Sequence, residues 1–100
     1  MSERKIRSIN FMPVISMFYG VIVMMYYLDN RRHHEPHIHV QYAEEEAVVS
    51  ISDGNVIEGS IRANKLKLVQ AWIEIHQEDL MADWHLAANG QPIFKIEPLK

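Results

Sequence analysis

The sequence predicts an α+β fold, an antiparallel meander of three or four strands packed against a C-terminal helix pair. Three observations carry this. Apolar residues alternate with polar ones in the first half of the chain, with an Asp-Gly turn at Asp53-Gly54 between two such runs. From about Ala63 the apolar period lengthens to that of a helix, with Leu66, Val69, Ile73 and His76 in one stripe and Leu68, Trp72 and Ile75 beside it. Asn89-Gly90 then supplies a helix stop.

The elements follow in order. Residues 1–12 carry Arg4, Lys5 and Arg7, have no persistent period, and read as a flexible basic arm ahead of a single domain over residues 13–100. Pro13 opens an apolar stretch whose pattern fits a helical turn or a strand equally, and Gly20 breaks it. Val21 to Leu28, rich in β-branched and aromatic residues, predicts a strand buried on at least one face. Asp29 to Pro36 is a polar loop, in which Pro36 keeps His34-Glu35 out of a helix. His37 to Tyr42 alternates as a strand, with His37, His39 and Gln41 on one face and Ile38, Val40 and Tyr42 on the other; the apolar set is the core face. Glu46 to Ile51 and Val56-Ile57 complete the meander around Asp53-Gly54. Asn64 and Ser60 compete to cap the first helix, and Lys65 and Lys67 lie at the end its dipole disfavours. The second helix runs from about Glu78 to Ala88, and Pro92 to Ile96 returns as an edge strand or as a tail laid on the core.

Composition narrows the function classes. In 100 residues, 48% hydrophobic content with four Gly and four Pro excludes a disordered chain. Cysteine is absent, which excludes disulfides and thiolate catalysis. No apolar window reaches a membrane span, the start lacks the layout of a secretion signal, and the expected location is the cytoplasm. Residues 1–36 have a net charge of +2 and residues 37–100 a net charge of −5, so the chain is no general nucleic-acid wrapper. A basic loop can still steer RNA locally, and the acidic part suits a basic partner.

The histidines are the chemical anomaly, with His33, His34, His37 and His39 within seven positions. His37 and His39 stand two apart on a strand, so both imidazoles leave the same face. Three uses compete. The pair can bind Zn²⁺ with His33, His34 or Glu35 as a third ligand, although no second ligand cluster accompanies it and no metal or other cofactor is assigned. It can form a metal-independent ribonuclease site, one histidine taking the 2′-hydroxyl proton and another protonating the 5′-oxygen, with Arg31 and Arg32 on the phosphate. Or the imidazoles stack and hydrogen-bond on an ordinary sheet face, the use that residue pattern alone favours. Trp72 and Trp84 are expected to cement helices to sheet. No Gly-rich phosphate loop, paired-carboxylate motif or serine elbow is present.

The series Pro13 to Gly20, Met25-Tyr26 and His33-His34-Glu35-Pro36-His37-Ile38-His39-Val40 resembles the small bacterial family catalogued as domain of unknown function 4160. Glu58-Gly59, Leu66 to Trp72, His76, Trp84, Gly90 and Ile96 to Leu99 extend the likeness over nearly the whole chain from Pro13. The family's characteristic piece is a His, a variable residue, two prolines and then His-Phe-His-Val, which maps its histidines onto His33, His37 and His39. Glu35 replaces the first proline, and Asn30-Arg31-Arg32 lengthens the loop, so the geometry around His33 is less tightly set than that of the strand pair. Members are commonly encoded beside a second small protein, and some have been discussed as toxins of toxin–antitoxin pairs. The strand histidine is also similar to that of compact double-stranded-RNA-binding-like toxins that cleave mRNA. The resemblance therefore implies a toxin-like component of a two-protein system, an endoribonuclease or RNA-binding protein with a small cognate partner encoded nearby. Its catalytic candidates are His37 and His39 with His33 auxiliary, and Arg31 and Arg32 are its substrate contacts. The alternative is a non-enzymatic adaptor or regulatory protein-binding domain.

Overall fold

The computed structural model describes residues 13–28 and 33–100, and the basic arm expected over residues 1–12 lies outside them. Five strands, β1 (Val14–Phe18), β2 (Val21–Met24), β3 (His37–Tyr42), β4 (Glu45–Ser50) and β5 (Val56–Ser60), form one antiparallel sheet in the order β1-β2-β3-β4-β5. Two helices follow, α1 (Ala63–Ile75) and α2 (Gln77–Ala88). The α+β class and the helix pair stand as expected, but the strand count is five rather than three or four. The added strand is the ambiguous apolar stretch after Pro13. Tyr19 and Gly20 both take positive φ, 50° and 82°, the backbone of a tight two-residue hairpin turn, and Phe18 pairs with Val21 across it. That turn folds Val14–Phe18 back onto β2 and decides for the strand.

The pairing register sets the two faces of the sheet. Val23 pairs with Val40 and Val40 with Ala47, so Val23, Val40 and Ala47 form one buried row on the helix side. Met24 pairs with His39, His39 with Val48 and Val48 with Glu58, which gives the opposite face its row. Trp72 of α1 is fully buried, its ring 5.3 Å from that of Phe18. Val69, Ile73, Leu80, Trp84 and Ala87 complete the helical side of the core. Burying such a side chain contributes roughly 1.5–3 kcal/mol, so this one layer contact carries much of the stability.

The start of α1 is secured from a distance. Neither Ser60 nor Asn64 caps it; Arg62 is the N-cap and makes no side-chain cap bond. The Arg62 N–H instead donates to Glu45 Oε1 at 3.0 Å, and Arg62 Nε lies 3.4 Å from the same oxygen. These bonds hold the Glu45 carboxyl below its ordinary value, led by the Arg62 N–H, and set a negative charge where the helix dipole favours one. Lys65 is structural rather than merely solvated, since its Nζ donates to Tyr19 O at 2.9 Å and lies 4.8 Å from the centre of the Tyr42 ring. His76 joins the helices through its backbone: its N–H donates to Trp72 O, and its carbonyl accepts from Leu80 N. At the end of α2, Gly90 N and Gln91 N close on Ala87 O and Leu86 O, as Asn89-Gly90 predicts.

Residues 91–100 form no strand; they are the tail laid across the core. Ile96 N–H donates to Ile15 O at 2.8 Å, and Trp72 Nε1 donates to Glu97 O at 2.7 Å. Beneath the tail, Asp83 is 3% exposed, with Oδ1 accepting the Phe94 N–H at 3.0 Å and Oδ2 unpartnered. Burial raises its carboxyl above the ordinary 3.8, against the lowering effect of the Phe94 N–H, and the Asp79 charge adds to the rise. The folded state therefore holds the proton more tightly than the unfolded one. Its contribution is full below pH 3.8 and is lost as pH rises through the folded value. Asp83→Asn keeps the acceptor and removes the charge, so its urea midpoint should exceed the wild type's at pH 7 and the gap should narrow towards pH 3.8. A gap independent of pH contradicts this origin.

Candidate functional site

The site begins with Pro36, which keeps its neighbour extended and delivers His37 into the first position of β3. His37 is 1% exposed. Its Nδ1 lies 2.8 Å from Glu35 O, and because a carbonyl only accepts, Nδ1 carries the proton. The imidazole sits among three rings: His33 at 5.4 Å and nearly perpendicular, His39 at 5.4 Å, and Trp84 of α2 at 4.9 Å. Trp84 thus meets the expectation that it joins helix to sheet, and it does so through a histidine.

His39 has a different setting. It is half-buried and stacked on Tyr26, the rings 4.0 Å apart and 4° from parallel. Both line a groove of about 470 Å³ on the sheet face opposite the Val23, Val40 and Ala47 row, floored by Met24 and Val48 and bordered by Glu46 and Glu58. Those two carboxylates are the charged side chains among its described lining residues. His33, ahead of the strand, places Nε2 3.0 Å from Glu58 Oε1 and so ties the loop to β5.

The structure thus brings His33, His37 and His39 into one ring cluster. His34 and the Glu35 side chain are exposed, and Tyr42 is on the helix-side face beneath Arg62 and Lys65. Arg31 and Arg32, the expected phosphate contacts, lie outside the described residues. Among the described residues, no group of three or more His, Cys, Asp or Glu side chains is arranged to hold a metal ion, and no helix is long and apolar enough to cross a membrane.

Sequence reasoning did not find Glu58 as the partner of His33, nor Tyr26 as the shelf for His39. The signal for both is the register, since Met24, His39, Val48 and Glu58 are successive cross-strand partners. That row is invisible until strands are paired.

A five-stranded meander followed by two helices, with a histidine cluster at the start of β3, defines a small α+β domain. The chain belongs to the family described as domain of unknown function DUF4160, whose model matches residues 20–85. Comparison with curated proteins and with solved structures returns no match.

The two strand histidines should separate in a stability measurement. Removing the His37 ring opens a cavity against Trp84 and strips the Glu35 carbonyl of its donor. His37→Ala should therefore cost about 2–4 kcal/mol by denaturant unfolding. His39→Ala, on the groove, should cost about 1 kcal/mol or less. Equal losses would contradict this division of labour.

Proposed function

We propose that the chain is the toxin-like member of a two-protein toxin–antitoxin pair, acting on RNA through the open face of its sheet. The observation that carries this is the His39–Tyr26 stack in the 470 Å³ groove. Unpaired bases stack on flat aromatic surfaces displayed by a sheet, and an imidazole can exchange protons near neutral pH. In a metal-independent cleavage, one histidine removes the 2′-hydroxyl proton. The 2′-oxygen then bonds to phosphorus, the bond from phosphorus to the 5′-oxygen breaks, and a second histidine gives that oxygen a proton. His39 and His33 are the accessible pair for these roles, while His37, buried between them, positions both rings. Arg31 and Arg32 immediately precede His33 in the chain and would neutralise the phosphate from that side.

A second reading has its own support. Glu46 and Glu58 border the groove, and carboxylates repel a phosphate backbone, so a non-enzymatic adaptor that binds a protein fits the same surface.

Induced expression separates the two. The wild type should arrest growth with loss of RNA integrity, and His39→Ala, folded and present at the same level, should not. In purified form the variant's cleavage rate should fall about 10²-fold or more, the usual share of an acid–base group. Unchanged growth at confirmed levels of folded wild type would overturn the toxin reading and leave the adaptor.

A further inference from the structure

The two edges of the sheet are treated differently. The β1 edge receives one backbone bond from the C-terminal tail, from Ile96 N–H to Ile15 O. At the other end, β5 has β4 as its one hydrogen-bonded neighbour strand among the described residues. Four of its five residues, Val56, Glu58, Gly59 and Ser60, are exposed. A strand in this position presents backbone donors and acceptors that an extended segment can pair with, and Lys or Pro commonly blocks such an edge. The β5 sequence Val-Ile-Glu-Gly-Ser contains neither, and the register with β4 shifts once, between Val48 and Val49, ahead of the Glu58–Ser60 stretch.

The surroundings select the charge of what can add there. The groove runs beside β5, with Met24 and Val48 as an apolar floor. Glu46 and Glu58 border it, and exposed Glu44 lies in the turn before β4. Gly59 lets β5 lie close against β4: its φ of +76° is costly for other residues, and a side chain there would run into Glu46 O, with Ala47 Cα at 3.2 Å. The edge therefore combines an apolar floor and a negative border. An acidic border repels a nucleic-acid backbone and attracts lysine or arginine side chains.

We infer that the β5 edge and its groove bind an extended, lysine- or arginine-bearing segment of a partner protein, which joins the sheet as a sixth strand. Alternate side chains of that strand would turn towards Glu46 and Glu58, covering the groove and His39 with it. The inference rests on the two-protein reading and names the chemistry of the second protein. It also gives the partner a way to silence the site, by occupying the face on which His39 stands.

The test uses the full chain and a displayed random-peptide library, followed by a synthetic copy of the most enriched peptide. Basic, extended peptides should be enriched. Titration into ¹⁵N-labelled protein should shift the amides of β5 and the groove, and should slow hydrogen exchange along Val56–Ser60. The double variant Glu44→Lys/Glu46→Lys should bind at least tenfold more weakly. Glu44→Gln/Glu46→Gln should lose less, and both should keep the dispersion of the wild-type amide spectrum. No enrichment, shifts confined to α1 and α2, or affinity unaffected by charge reversal would overturn the proposal. So would a single-stranded RNA that shifts the β5 amides where no peptide does. Growth arrest without peptide binding sinks the docking edge alone; peptide binding without growth arrest keeps the edge and sinks the toxin reading.

Discussion

The burial of the His37 imidazole is the constraint on which the rest of the site depends. A polar ring removed from water must keep its hydrogen bonds, and the Glu35 carbonyl two residues earlier meets that need at 2.8 Å. The bond fixes the turn into β3, fixes which nitrogen carries the proton, and sets the ring against Trp84 at 4.9 Å. Helix and histidine cluster are thereby joined. A shift of α2 moves Trp84, and the His37 ring in turn limits where His33 and His39 can stand. The cluster is thus a part of the core that reaches the surface at its two ends, through His33 beside Glu58 and His39 on Tyr26.

Much of the architecture was legible because local chemistry and tertiary packing agree. Ile38, Val40 and Tyr42 alternate with His37, His39 and Gln41, and a period of two has one consequence in a sheet. Asp53-Gly54 marks its turn, where the Asn55 N–H bonds Asp53 Oδ1, and Asn89-Gly90 ends its helix. Val14–Phe18 was undecidable because five residues cannot separate a strand from a helical turn; the decision lies in the backbone of Tyr19-Gly20. The helix start was misplaced for another reason. Ser60 and Asn64 are good local caps, but the acceptor that serves there belongs to Glu45, seventeen residues away from Arg62. Within the site, spacing puts His37 and His39 on one face and leaves the third member open among His33, His34 and Glu35; the family resemblance singles out His33. The separate roles of the strand pair could not be read from spacing, because His37 and His39 share a face and differ only in what covers them: Trp84 lies against one ring, and the groove opens at the other.

The positive side chains nearest the histidines in sequence, Arg31 and Arg32, precede β3, whereas Glu44, Glu46 and Glu58 gather around β4 and β5. Carboxylates around β4 and β5 attract cationic side chains and repel a polyanion. The His33–Glu58 contact links the loop before β3 to the acidic strand β5. Whatever draws Glu58 towards a new cation competes with His33 for it, which couples occupation of the edge to the geometry of the cluster.

The most direct measurement of the central claim is the tautomer of His37, read from long-range ¹H–¹⁵N correlations of the imidazole rings in the full chain. The account predicts a protonated Nδ1 whose proton exchanges slowly with solvent, as a buried donor to the Glu35 carbonyl must. A His37 ring protonated at Nε2 alone, or one whose Nδ1 proton exchanges as fast as that of exposed His34, would contradict it.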